Sequence, residues 1–371
     1  MKYPSVRERQ NAFPFLTYTL MNPKEPCMLL LNDIHISKDN IPDFSLNWSE
    51  ALSVCKRMGI HTVVLGGDLF FSRSSQTLDV LLAVHDALLA ARDMNIDVIL
   101  ANGNHDLVNQ EAVRGYCHIY EGHDNVLVID EYHTLSNPEW SFMLHVIPYF
   151  PEDGSFTEKL DEVIENEVST GKLNYLYIHE GINGALSRPA ENELPAHIFG
   201  DFDKVFAGHY HNRCKVAPHI EYIGAARQHN FGEDEEKGYT VLFTDGTAEF
   251  IKNRANRRFM VLDIPDDKVD IHLTDRLEEL REDGRYKVKV RVHTGEAGTS
   301  SVDKSRLLEA GAAKVEVVTE GLHAARTAET GWLEKFDGGK IRDSYRRFCT
   351  EKGISEEPGL SYLKSDAPCG N

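Results

Sequence analysis

The chain has no run approaching the ~20 consecutive apolar residues that a membrane-spanning helix needs, so no membrane association is expected. Positive charge is scarce. Lys and Arg number 40 against 59 Asp and Glu, and the net charge of −19 excludes a general basic coat for gripping nucleic-acid phosphates. Six cysteines (Cys27, Cys55, Cys117, Cys214, Cys349 and Cys369) form no C-x-x-C pair, so neither a zinc finger nor a disulfide framework is indicated. The first 26 residues carry Pro4, Arg7, Glu8, Arg9, Pro14 and Pro23 without a continuous apolar core, which argues against a signal peptide and for a cytoplasmic protein with reduced thiols. The 41% hydrophobic content of 371 residues is enough for two or three units with cores of their own.

What the chain does have is five short polar motifs, each directly after an apolar, β-rich run. Asp33-Ile-His35 follows CMLLLN, Gly67-Asp68 lies in TVVLGGD, and Gly103-Asn104-His105-Asp106 follows DVILAN. His179 follows LNYLYI, and His209-Tyr210-His211 follows KVFAG. Groups at the ends of successive strands can converge on one point, as ligands do at the carboxyl edge of an open α/β sheet. The residue types suit a two-metal site: two divalent ions about 3.5 to 4 Å apart can clamp the attacking and leaving oxygens of a phosphoryl displacement, with a carboxylate between them. Asp68 is the natural bridge. Carboxylate, imidazole and amide ligands without thiolate favour manganese, iron or zinc. Any one of these motifs alone is more often an ordinary turn or buried pair; five in order change that reading. The remaining twelve of the 17 histidines, among them His61, His85, His118 and His145, lie outside the motifs and are assigned no role.

The set D-x-H, G-D, G-N-H-D, H and G-H-x-H resembles the calcineurin-like metallophosphoesterase superfamily, and more narrowly its SbcD nucleases, including the meiotic-recombination and tailed-phage nuclease subunits. GGDLFFSR, HVIPYF and IEYIGAARQHNFGEDEEKGYTVL carry the narrower likeness, which covers residues 27 to about 262. The resemblance implies one metal on Asp33, His35, Asp68 and His211 and a second on Asp68, Asn104, His179 and His209, most often Mn2+. It gives His105 the catalytic role of stabilising the transition state or protonating the leaving oxygen. Phe71 stands where many members carry a phosphate-contacting histidine, so that substrate-binding role is vacant or passes to Arg73. Implied partners are DNA, a second copy of the nuclease and an SbcC-type coiled-coil ATPase; a phage-encoded member would work in the host cytoplasm.

Periodicity places helices in LNWSEALSVCKRMG, ending at Gly59, and in TLDVLLAVHDALLAARDMN. Helices alternating with ligand-bearing strands argue an α/β core, and the resemblance makes it a four-layer αββα sandwich. The expected organisation is an extension over 1–26, a nuclease domain over 27–264, a small α/β capping domain over 268–320 and a helical ATPase-binding tail over 326–371. In the capping unit YKVKVRVH reads as a strand with Val288, Val290 and Val292 on a buried face and Lys287, Lys289 and Arg291 on a basic face suited to DNA contact. A second basic cluster is Lys252, Arg254, Arg257 and Arg258. A short helix capped by Ser301 or Asp303 and the strand KVEVV follow. The expected activity is a manganese-dependent DNA exonuclease and single-strand endonuclease for double-strand-break repair. The competing reading is a small-substrate phosphodiesterase or phosphatase of the same superfamily.

Overall fold

Strand periodicity sets the layering. In β1 (Pro26–Leu31) alternate side chains enter different cores: Met28 and Leu30 join one apolar cluster, Leu29 and Leu31 another. The computed structural model describes residues 24–109, 114–151, 154–186, 193–265, 269, 271–294 and 302–319, with isolated positions 345, 346, 349, 350 and 355. Within it β1 pairs in parallel with β2 (Thr62–Leu65), which pairs with β3 (Asp97–Ala101), which pairs with β4 (Val126–Ile129). On its other side β1 meets β11 (Gly238–Phe243) antiparallel, and β12 (Ala248–Lys252) closes that edge of a six-stranded sheet.

A second six-stranded sheet has the order β5 (His133–Ser136), β6 (Phe142–Ile147), β7 (Leu173–His179), β8 (Lys204–Gly208), β10 (Ile220–Tyr222) and β9 (Cys214–Ala217). Its four central strands are parallel, and its two edge strands are antiparallel. Met28, Leu30, Val64 and Ile99 from the first sheet pack with Phe142, Leu144, Tyr177 and Phe206 from the second, so the sheets lie face to face. The outer face of the first sheet is covered by α1 (Ile41–Met58) and α2 (Leu78–Asp93), and that of the second by α3 (Ser155–Asn166). This is the four-layer αββα sandwich. Each fully buried Leu, Ile, Val or Phe contributes roughly 1.5–3 kcal/mol.

Helix α1 begins at Ile41, before the expected Leu46, because Pro42 fits the first turn, where no backbone donor is needed. It ends as expected at Gly59, whose φ of 70° lets its N–H return to the Cys55 carbonyl. Trp48 Nε1 donates to the Ala87 carbonyl at 2.8 Å and fastens α1 to α2.

The chain divides into two compact units between Phe259 and Met260, ahead of the Pro265-Asp266-Asp267 run. The reason is β13 (Arg258–Pro265), an edge strand of a small sheet with β14 (Tyr286–Thr294) and β15 (Ala312–Thr319); Pro265 ends that strand rather than the preceding unit. Helices α4 (Ile271–Asp283) and α5 (Lys304–Ala310) bury Leu273, Leu277 and Leu307 against Val288, Val290 and Val292. Asp303 caps α5 by accepting from the Arg306 N–H.

The other face of β14 is not the free basic surface its alternation suggests. Lys289 is buried and paired with Glu316, Arg291 Nη1 lies 3.1 Å from Asp263 and Nε 3.7 Å from Glu316, and His293 lies 2.9 Å from Asp263. The flanking strands supply the neutralising carboxylates. The Lys252–Arg258 cluster also disperses: Lys252 pairs with Glu236, Arg258 is buried against the Asn253 carbonyl, and Arg254 and Arg257 stay exposed. Residues 1–23 of the expected extension, and the 326–371 tail apart from the five isolated positions, lie outside the described residues.

Candidate metal centre

All five motifs reach the carboxyl ends of parallel strands. Asp33 and His35 follow β1, Asp68 follows β2, Asn104 and His105 follow β3, His179 ends β7, and His209 and His211 follow β8. The strands turn sharply there. Asp33, His35, Asp68 and His209 have φ of 51°, 49°, 53° and 94°, a region that residues with side chains rarely enter. Asn95 is the only other non-glycine with positive φ among the described residues. Backbone strain is concentrated where the ligands are aimed.

Asp68 sits between the others, its Oδ2 3.5 Å from His35 Nε2 and 3.3 Å from His179 Nε2. Asp33 Oδ1 lies 4.0 Å from His35 Nε2, 3.9 Å from His211 Nε2 and 3.9 Å from His179 Nε2. His35 and His211 bring their Nε2 atoms within 3.0 Å of each other, and His209 Nδ1 is 3.3 Å from Asn104 Oδ1. Three overlapping groups could each hold a cation: Asp33–His35–His211, Asp33–Asp68–His179, and His35–Asp68–His105. The last group shows His105 within ligand range of two residues expected to bind metal, although the resemblance gives it a different role.

The donor set fits divalent cations. His179 Nδ1 donates to the Gly66 carbonyl at 3.0 Å, which turns the fully buried Nε2 toward the Asp68 and Asp33 carboxylates as the nitrogen a cation would meet. His211 Nδ1 likewise donates to Glu233 Oε1 at 2.8 Å, freeing its Nε2. The Asn104 amide lies between Asp68 Oδ2, at 3.3 Å, and the Arg73 guanidinium, and these neighbours orient its nitrogen toward Asp68 and its oxygen toward Arg73.

Electrostatics agree. Burial holds His35 and His209 down at about 4, so both rings are neutral. Burial also opposes charging of His179, but Asp68 and Asp33 outweigh it and raise His179 to about 10. Burial would raise Asp68, yet His179 and His35 hold it below the ordinary carboxylate range. A cation entering such a site takes over the work of those protons and displaces them.

Residues outside the ligand motifs complete the site. Glu233, in the FGEDEEKG run, accepts from His211 Nδ1 and, through Oε2, from the His229 N–H at 3.0 Å. His229 is one of the twelve histidines assigned no role, and the structure corrects that. Its Nε2 donates to the Asp33 carbonyl at 2.7 Å, and its ring stands edge-on to His35 at 5.2 Å and His211 at 4.9 Å. Burial first, then the Arg227 charge, keeps it well below the ordinary histidine value and therefore neutral. Asp106 is fully buried and accepts from the N–H groups of Gly103 at 2.8 Å and Phe70 at 2.9 Å, tying the β2 and β3 loops together. Glu233 and His229 both lie in the IEYIGAARQHNFGEDEEKGYTVL stretch and Asp106 closes the Gly103-Asn104-His105-Asp106 motif; that membership was the signal for each, although none was given a role.

At the mouth, His105 Nδ1 meets the Phe71 carbonyl at 2.7 Å, and its N–H donates to Asp68 Oδ1 at 2.8 Å. Phe71 is 58% exposed, its ring 6.3 Å from that of His105. Arg73 is exposed, with its guanidinium against the Asn104 amide.

Glycine makes the packing possible at Gly67, where φ is 116° and an added Cβ would lie 2.3 Å from His179 Nδ1. Gly67→Ala should therefore cost about 1–3 kcal/mol in backbone strain alone. Thermal melts should show the loss of stability, and elemental analysis should show lower metal content as His179 is pushed aside.

No family model matches the chain. A protein of invertebrate iridescent virus 6 named as a phosphoesterase is 26% identical over 221 residues, covering 58% of this chain and 75% of that protein. A protein of invertebrate iridescent virus 3 with the same designation is 26% identical over 225 residues, covering 58% and 61% respectively. A Staphylococcus saprophyticus protein named as the SbcD component of the SbcCD nuclease is 22% identical over 229 residues, covering 54% of this chain and 60% of its own. The chain thus matches about three fifths of the length of the last two relatives. Among solved structures, a dimetal phosphatase from Danio rerio aligns over 61% of this chain and 98% of its own, with 12% identity and a TM-score of 0.39. A Pseudomonas putida nuclease aligns over 44% and 67%, with 17% identity and a TM-score of 0.24. At such overlap the fold rests on its own sheet order and layering. The gathered side chains form a candidate divalent-metal centre, and the chain is similar in sequence to proteins named as phosphoesterases and as a nuclease component.

Proposed function

We propose that the chain is a manganese-dependent DNA nuclease, an exonuclease and single-strand endonuclease acting in double-strand-break repair beside an SbcC-type coiled-coil ATPase. The observation that carries the hydrolytic part is the convergence of Asp33, His35, Asp68, Asn104, His179, His209 and His211 from the carboxyl ends of strands of both sheets, with His105 beside them. The DNA part draws on the similarity to the SbcD component of the SbcCD nuclease and on the FGEDEEKG loop that holds His211 through Glu233.

Asp33, His35, Asp68 and His211 would hold one cation, and Asp68, Asn104, His179 and His209 the other. When bound, the pair supplies positive charge that polarises the phosphate and the attacking water. The chain's own residues do the rest. The Phe71 carbonyl fixes His105 Nδ1 as a donor, so Nε2 is the nitrogen that meets the phosphate; in the imidazolium form Nε2 also carries a proton, which passes to the leaving oxygen and leaves the ring neutral with Nδ1–H still on the carbonyl. Arg73 adds a charged donor at the mouth for a non-bridging phosphate oxygen.

The neutralised face of β14 favours the alternative, a small-substrate phosphodiesterase, because that face then offers little free positive charge to a duplex. On the nuclease reading, the partner ATPase supplies most of the DNA grip. The two readings part in one assay: linear duplex, circular single strands and bis-p-nitrophenyl phosphate incubated with Mn2+, with and without the ATPase. A nuclease degrades DNA and the small diester alike, and ATP with the partner accelerates duplex digestion. Hydrolysis of the small diester with DNA left intact in every arm would establish the alternative.

A further inference from the structure

Lys237 is a lysine with no exposed side-chain surface, in a loop otherwise rich in exposed acids. Its Nζ donates to Asn212 Oδ1 at 2.7 Å and to Asp234 Oδ1 at 2.9 Å. Asn212 directly follows His211, and Asp234 directly follows Glu233. These are the two residues whose side chains meet at 2.8 Å behind the first cation position. The Asp234 N–H also donates to Asn212 Oδ1 at 3.2 Å, so the ammonium closes a three-way junction one residue beyond the His211–Glu233 pair.

The base of the lysine is itself fixed. Its N–H donates to the Glu235 carbonyl at 2.9 Å, its carbonyl accepts from the Asn253 N–H at 2.8 Å, and a Cβ at the neighbouring Gly238 would lie 2.1 Å from the Ile251 carbonyl oxygen. The lysine therefore reaches from the anchored β11 start into two loops that have no regular structure to hold them. A buried ammonium is expensive unless paired and fully hydrogen-bonded, so the two loops are held in the arrangement that pairs it.

We propose that Lys237 is a positioning residue for divalent-cation binding: by clamping Asn212 to Asp234 it holds the His211 imidazole and its orienting Glu233 carboxylate in register at the Asp33–His35–His211 end of the site. The inference rests on the metal-centre reading above. Partners that orient a metal-bound histidine typically change affinity by roughly 10–100-fold, and a clamp one step further out acts through the same orientation.

The test is Mn2+ titration calorimetry on the full chain, comparing wild type with Lys237→Met and with Asp234→Ala, whose side chain is 44% exposed and tolerates truncation. Wild type should bind two cations; failure to bind Mn2+ at all would overturn the metal-centre reading itself, not the clamp. Lys237→Met should keep one cation at wild-type affinity and bind the other on the order of tenfold more weakly, and Asp234→Ala should weaken the same one by a smaller factor. A folded Lys237→Met, judged by circular dichroism and a cooperative melt, with both affinities unchanged would reduce Lys237 to a core residue and overturn the proposal. If Lys237→Met does not fold, unchanged affinities in Asp234→Ala overturn it equally.

Discussion

Asp68→Asn should lose metal and activity together. Asp68 is buried, lies 3.5 Å from His35 and 3.3 Å from His179, and accepts the His105 N–H at 2.8 Å through its other oxygen. The amide keeps the shape but removes the charge that allows two cations to sit about 3.5–4 Å apart. Metal content by elemental analysis should fall below two per chain. Hydrolysis of a small phosphodiester should drop by more than the roughly 100-fold that loss of a supporting partner costs. An Asn variant with both metals and full rate would show that Asp68 is not the bridge.

His105→Asn should separate chemistry from metal binding. His105 is half-buried at the mouth, its Nδ1 committed to the Phe71 carbonyl at 2.7 Å. As the group that meets the leaving oxygen, its removal should lower kcat by about 10²–10⁴-fold with little change in KM. That corresponds to about 3 to 5 kcal/mol of transition-state stabilisation. Two cations per chain should remain. Because His105 also lies within ligand range of His35 and Asp68, loss of one cation in this variant would instead make it a ligand. A leaving group of low pKa needs no proton, so a p-nitrophenyl diester should suffer less than DNA.

What could be read from the chain and what could not divide along a physical line. The strands before Asp33, Asp68, Asn104, His179 and His209 were legible because each is a short apolar run ended by a polar turn, and all of these side chains stand at the carboxyl ends of their strands, in one sheet or the other. Helix α2 was legible from Val80, Val84 and Leu88 at helical spacing. The features that escaped all depend on partners distant in sequence. Lys289 and Arg291 read as a basic face because the neutralising carboxylates, Asp263 and Glu316, belong to other strands. His229 looked like an unremarkable histidine because its contacts are with Asp33, His35 and His211, close to 200 residues away for Asp33. The division at Phe259–Met260 was masked because β13 runs through it without a turn signal.

The four candidate ligands at positive φ limit how this site can be redesigned. Asp33, His35, Asp68 and His209 occupy backbone conformations that Asp, Asn and His tolerate better than other residues with side chains and that β-branched or bulky residues resist. A search for variants with altered metal preference would therefore meet two filters at those positions, ligand chemistry and backbone cost, and most substitutions would fail the second first. Asn104, His179 and His211 are not among the positive-φ residues. Exchanges of carboxylate, imidazole or thiolate there meet no positive-φ backbone cost, which makes these three the entry points for changing the metal.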